Sequence, residues 1–152
     1  MIKIATISIL IFLFFSLHGQ TWLSQDFESS VFPPEGWTIE EHAENWKMAA
    51  VNYAGGTTGE AKLQIAPVFN GMTRLISPEV DVTGSENLSL YFKHTLRLYQ
   101  SGTVIGVATR SGSGDWETVW EMEGTTTKKA EVDIVLENPG NTNDFQFYFY
   151  FC

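Results

Sequence analysis

Cysteine is almost absent from this chain, since the single cysteine, Cys152, is also the last residue. An internal disulfide is therefore impossible, and a zinc site built on two or more thiolates of this chain is excluded. A catalytic thiol needs a supported histidine beside it, and a terminal residue is a poor scaffold for that arrangement.

Basic residues are also scarce. Nine lysines and arginines stand against eighteen acidic residues, which gives a formal net charge of −9. Phosphate binding requires basic patches, so nucleic acid is not a predicted partner. An acidic surface suits a soluble exported protein and can supply oxygen ligands for calcium.

Common catalytic motifs are missing as well. The chain contains no G-x-S-x-G, H-E-x-x-H or phosphate-binding glycine motif. Glu40, Glu41 and Glu44 resemble a glycosidase pair only superficially, because adjacent carboxylates on a strand point apart whereas a catalytic pair faces across a cleft. The sequence therefore predicts a non-catalytic protein.

Long apolar runs are absent too, and the longest, Ile4–Leu17, covers fourteen residues. A membrane-spanning helix needs about twenty apolar residues, so this run fits the core of a secretory signal peptide preceded by Lys3. We predict a signal peptide at 1–20, with an uncleaved anchor as the alternative. The mature chain, 21–152, is then a single domain, extracellular or on the cell surface and not membrane-spanning.

No window shows a helical period, whereas several runs alternate with the period of a β-strand. Leu88–Leu98 places leucines and Phe92 on one face. Val104–Arg110 and Trp116–Met122 flank a glycine-rich turn and predict a hairpin, with Trp116 and Trp120 on the same face. Further strands are predicted at Phe27, Trp37–Ile39, Trp46–Ala50, Ala61–Ile65, Thr73–Ile76 and Glu131–Leu136. This pattern predicts an all-β, two-sheet antiparallel β-sandwich.

The last run, 145–152, alternates four phenylalanines with Gln146, Tyr148, Tyr150 and Cys152. The chain stops inside this most apolar strand, and nothing after it supplies a neighbouring strand. We therefore expect a C-terminally truncated domain that lacks its last strand and exposes a sheet edge.

A series of short motifs, taken in their order along the chain, resembles the pattern of a known protein family. In order they are Asp26-Phe27-Glu28, Phe32-Pro33-Pro34-Glu35-Gly36-Trp37, Asn45-Trp46, Arg74–Val82, Val107–Gly112 and Trp116–Trp120. This order resembles the choice-of-anchor J or cleaved-adhesin family of secreted bacterial proteins, which is related to gingipain adhesin domains and similar to MAM domains. The resemblance covers nearly all of 21–152.

The resemblance implies a jelly-roll β-sandwich in a secreted or surface protein. It also implies a non-catalytic adhesion module that binds glycan or extracellular protein, as part of a larger surface protein. The alternative is a structural accessory domain of a secreted protease or glycosidase, with no ligand of its own. The chain departs from the family at its end, where an Ile-Asp-Asp-Ile/Val-like strand is absent.

Aromatic and polar residues opposite the apolar rows are candidates for a sugar-binding platform. They are Tyr91, Lys93, Arg97 and Tyr99 on one strand, and Gln146, Tyr148 and Tyr150 on the last. The two groups form one surface only if these strands pair. Ordinary cross-strand packing of exposed aromatics is the alternative, and the sequence favours it.

Asp26 and Glu28 are candidate ligands of a structural calcium ion, with Asp81 and Asp144 as weaker additions. Calcium takes six to eight oxygens, which one strand cannot supply, so both residues can instead be solvated carboxylates. His94 falls on the apolar face of its strand, where a core histidine with its hydrogen bonds satisfied is the expected role. The tryptophans Trp37, Trp46, Trp116 and Trp120 are expected in the core.

Overall fold

The computed structural model describes residues 21–56, 58–97, 102–137 and 139–152. These residues form nine strands, one 3-10 turn (Ala43–Asn45) and no α-helix. The strands are β1 (Thr38–Glu40), β2 (Trp46–Ala49), β3 (Glu60–Leu63), β4 (Thr73–Ile76), β5 (Asn87–Leu96), β6 (Thr103–Ser111), β7 (Glu117–Gly124), β8 (Lys128–Glu137) and β9 (Phe145–Phe151). The predicted all-β class is confirmed.

The strands form antiparallel sheets that pack as a sandwich. One sheet has five strands in the order β1-β4-β9-β6-β7, and the predicted β6–β7 hairpin lies at its edge. The opposing layer contains a ladder of β5 with β8, and a shorter pair of β2 with β3. The sandwich is therefore confirmed, whereas its jelly-roll character stays a prediction.

The core lies between these layers because each long strand has one apolar face. On β5 and β8 the apolar residues alternate with polar ones, and Leu90 pairs with Ile134. Phe92 crosses to the five-stranded sheet, where its ring centroid lies 5.1 Å from Phe149 and 5.3 Å from Trp120. Burying such side chains contributes about 1.5–3 kcal/mol each, so these contacts hold the layers together.

The expectation that the last strand has no neighbour is wrong. β9 lies in the middle of the five-stranded sheet, where Phe149 pairs with Leu75 of β4 on one side and Val107 of β6 on the other. The sheet edge expected there is absent from the described residues, because strands earlier in the chain fill both sides. The predicted signal peptide, 1–20, lies outside the described residues, and the predicted truncation stays a prediction.

The two hairpin tryptophans do not share a face, contrary to the expectation. The β6–β7 register runs from Val107↔Trp120 to Ala108↔Thr118, so Val119 is an extra residue in a β-bulge. A bulge reverses the alternation of side chains beyond it. Trp120 therefore packs against the core, while Trp116 lies on the outer surface of the five-stranded sheet.

The predicted strand at Phe27 is also wrong. Phe27 has φ of 57°, in the left-handed region, and the chain around it makes local turns instead of a ladder. The side chain of Asp26 accepts a hydrogen bond from the Glu28 backbone N–H at 3.0 Å. The backbone of this segment lies directly against Gly59, where a Cβ would be only 2.8 Å from Glu28 Cα. The close approach of the two backbones therefore requires glycine at position 59.

His94 faces the core as expected, but its hydrogen bonds are not satisfied. The centroid of its ring lies 5.4 Å from the Trp120 ring centroid and 6.1 Å from the Phe92 ring centroid. Both ring nitrogens are buried and have no hydrogen-bond partner among the described residues. Burial, followed by the charge of Lys128, lowers the pKa of His94.

Candidate functional site

The two groups of candidate platform residues lie on opposite outer surfaces of the sandwich. β5 pairs with β8 and not with β9, so the strand pairing needed for one continuous platform is absent. Tyr91 and Lys93 point outward from the β5–β8 layer, and Arg97 follows directly after β5. Tyr99 lies outside the described residues.

The outer surface of the β5–β8 ladder carries a hydrogen-bonded polar network. We call it the β5–β8 face and define it by Ser89, Tyr91, Lys93, Glu131 and Asp133. The Tyr91 hydroxyl donates to Glu131 Oε2 at 2.8 Å, and Lys93 Nζ lies 3.1 Å from Glu131 Oε1. The Ser89 hydroxyl donates to the carboxylate of Asp133. Tyr91 is 54% exposed, so its ring remains available to a ligand despite these contacts.

Glu131 is the electrostatic centre of this face. Hydrogen bonds from Tyr91 and then Lys93 lower the pKa of Glu131. The bond to Glu131 in turn raises the pKa of the Tyr91 hydroxyl and of the Lys93 ammonium group. At neutral pH the Glu131 carboxylate is therefore shared between a neutral phenol and a charged amine.

A loop between β2 and β3 borders one end of the β5–β8 face. Tyr53 in this loop is 45% exposed, and the Arg97 guanidinium lies 4.1 Å from its ring centroid, a cation–π distance. A Cβ on Gly55 would lie 3.2 Å from Lys129 Nζ, so the loop backbone runs close to the ladder. The sequence carries no signal that this loop reaches β5, and Tyr53 was therefore not predicted.

The carboxylates Glu131 and Asp133 were also not among the predicted site residues. Their outward direction follows from the alternation of β8, in which Val132 and Ile134 face inward. What the sequence leaves open is that β8 pairs with β5, and only this pairing brings Glu131 beside Tyr91 and Lys93.

The second candidate group, on β9, lies within a packed aromatic layer. Tyr148 is 6% exposed, and its ring centroid lies 4.4 Å from that of Trp116. The Arg110 guanidinium lies 4.3 Å from the Trp116 ring centroid and donates to Gln146 Oε1 at 2.7 Å. Tyr150 is equally buried, at 5% exposure. These contacts favour a packing role for the β9 residues.

The candidate calcium ligands are dispersed, and all are exposed except the half-buried Asp144. Asp26 and Glu28 lie in the turn at Phe27. Asp81 lies elsewhere in the chain, and hydrogen bonds from Thr83 lower its pKa. Asp144 accepts a hydrogen bond from the Thr142 hydroxyl. Within the part of the chain that the structure describes, no three His, Cys, Asp or Glu residues group closely enough to hold a metal ion. Calcium binding therefore stays a prediction.

No protein-family model matches the sequence, and no curated protein matches it significantly. Among the described residues, no helix has the length and apolar character needed to cross a membrane.

Proposed function

We propose that this chain is an exported, non-catalytic binding module that attaches to glycan or extracellular protein through the β5–β8 face. The single observation that carries the proposal is the exposed Tyr91 ring beside the Lys93–Glu131 pair. The resemblance to choice-of-anchor J domains supports the same class of function and an extracellular location.

The chemistry of this face suits a sugar. An exposed tyrosine offers an apolar ring on which the C–H face of a sugar can stack, together with a polar edge. Charged groups within reach of that ring can exchange hydrogen bonds with sugar hydroxyls. Because Glu131 already orients both Tyr91 and Lys93, little side-chain entropy remains to be lost on binding.

The test is a screen of the purified protein on a broad array of glycans and extracellular matrix proteins, followed by affinity measurements. Tyr91→Ala should weaken binding at least tenfold, because it removes the stacking ring. Tyr91→Phe, the matched variant, keeps the ring and loses only the bond to Glu131, so its loss should be smaller. Val68→Ala, in an exposed loop outside this face, should bind normally.

Two results would contradict the proposal. One is the absence of binding to every glycan and protein on the array, which would favour the accessory-domain alternative. The other is binding that survives Tyr91→Ala unchanged, which would place the contact surface elsewhere.

A further inference from the structure

A cleft opens between the two layers of the sandwich, away from the β5–β8 face. Only residues 125–127 join β7 to β8, yet these strands belong to different sheets and separate from that connection onward. At their far ends they border a cleft of about 490 Å³. Its apolar lining includes four residues that belong to the hydrophobic core, Val119, Ile134, Leu136 and Phe145.

One wall of this cleft is the free edge of β8. Four consecutive residues, Ile134 to Glu137, line it, although successive side chains of a strand point to opposite faces. The strand therefore presents its backbone edge to the cleft. Among the described residues β8 pairs only with β5, so backbone N–H and C=O groups on this edge have no strand partner.

The other wall does not offer an equivalent edge. The bulge at Val119 interrupts the regular backbone of β7. Glu117 pairs with Thr109, which pairs with the core-facing Phe147, so the Glu117 side chain is directed to the core side of its sheet. An inward charge and a bulge both oppose strand addition at an edge. An added strand would therefore pair with β8 and not with β7.

The rim of the cleft is acidic. Asp115, Glu117 and Glu137 line it, and none of these carboxylates has a hydrogen bond or ion pair with another described residue. The one basic residue of the lining, Arg110, is engaged by Gln146 and Trp116. The cleft therefore combines an apolar floor, an unpaired strand edge and a rim of three carboxylates against one guanidinium.

From this combination we infer that the cleft binds an extended basic peptide segment of a partner protein. The peptide pairs its backbone with the edge of β8 at Ile134–Glu137, as in other cases of strand addition. An apolar side chain enters the cleft, and flanking lysines or arginines meet Glu117 and Glu137. This site is distinct from the β5–β8 face and does not depend on the function proposed for it.

The experiment uses fluorescein-labelled heptapeptides and fluorescence anisotropy with the purified protein. A peptide of alternating lysine and valine should bind, and its affinity should fall as salt rises because the rim contacts are exposed. A glutamate–valine peptide should not bind. A lysine–valine peptide with alternate backbone nitrogens methylated has the same charge but fewer donors, and should bind at least tenfold more weakly.

Protein variants locate the site. Glu117→Lys combined with Glu137→Lys should reduce affinity for the lysine–valine peptide at least tenfold. The matched control combines Glu35→Lys with Glu44→Lys, the same charge change near β1 at the opposite edge of the five-stranded sheet, and should reduce it much less. Hydrogen exchange on the unaltered protein should show slower exchange within 134–137 when the peptide is bound, which does not depend on any variant folding.

Three results would overturn the inference: no binding of the lysine–valine peptide, equal loss of affinity in the two double variants, or unchanged exchange within 134–137. Equal affinity of the methylated peptide would also overturn it, since that outcome means attraction of a cation without strand pairing.

Discussion

A methyl group added at Gly106 tests how tightly the outer surface of the five-stranded sheet is packed. Gly106 of β6 pairs directly with Tyr150 of β9, whose ring lies across the glycine. A Cβ at this position would lie 2.3 Å from Tyr150 Cζ and 2.4 Å from Cε1. The ring is 5% exposed and its hydroxyl donates to the Glu121 carboxylate, and burial, with that bond, raises the pKa of Tyr150 to about 12.

The magnitude follows from what the methyl group displaces. Gly106→Ala forces the ring away from the sheet, and exposing a large buried side chain costs about 1.5–3 kcal/mol. Alanine recovers about 0.5–1 kcal/mol of the conformational entropy that glycine loses within a strand. We therefore expect a net loss of about 1.5 kcal/mol in the free energy of unfolding.

A second substitution separates this clash from other effects. Tyr150→Ala alone should cost about 3–5 kcal/mol, as for other buried aromatic residues. In the Tyr150→Ala background the methyl group has room, so Gly106→Ala should instead stabilise by about 0.5 kcal/mol. The expected coupling between the two substitutions is thus about 2 kcal/mol.

The assay is urea unfolding of the four proteins, followed by tryptophan fluorescence at constant pH and temperature. The slope with urea should stay constant across the four, so that midpoints report stability. If Gly106→Ala has the same effect with and without Tyr150, the ring is not what excludes the methyl group, and the reasoning fails.

Two further predictions concern buried polar groups. Because burial lowers the pKa of His94 from 6.5 in the folded state, the unfolded chain binds its proton more readily. The free energy of unfolding should therefore fall as the pH drops below 6.5, by up to about 1.4 kcal/mol per pH unit for this histidine. His94→Phe should remove this part of the pH dependence, which urea unfolding between pH 7.5 and 5 measures. Ser77→Ala should cost about 1–3 kcal/mol in the same assay, because the buried Phe147 N–H loses its acceptor at 3.0 Å; an unchanged midpoint would mean that another acceptor replaces it.

The sequence was sufficient for most of the strands, although not for the segment at Phe27. Periodicity located β4, β5 and β9, and it assigned the inward and outward faces of β5 and β8 correctly. These strands each have one face in the core, so hydrophobic burial leaves a visible period of two. The β6–β7 hairpin was also predicted, because a short glycine-rich turn joins strands that are close in the sequence.

The pairing between strands that lie far apart in the sequence could not be predicted. Nothing local distinguishes a β5–β8 ladder from a β5–β9 ladder, and this choice separated Tyr91 from Tyr148. The bulge at Val119 could not be predicted either, because nothing in the composition of the strand marks Val119 as the extra residue. The bulge nevertheless moves Trp116 to the other face of the sheet. The candidate site was therefore predicted only for Tyr91 and Lys93, without the carboxylates and the loop tyrosine that adjoin them.

The central position of β9 determines the order in which the strands of the sheet can assemble during folding. The hydrogen bond from Phe147 N–H to Ser77 Oγ joins residues 70 apart in sequence, and β9 follows the eight other strands of the described residues. The β6–β7 hairpin can form early, but it cannot join the β1–β4 pair until β9 enters between them. Closing such long loops is slow, and all-β domains of this kind fold in milliseconds to seconds. As the chain is synthesised from its N-terminus, each half-sheet stays open and prone to aggregate until β9 emerges, so this seven-residue strand completes the sheet.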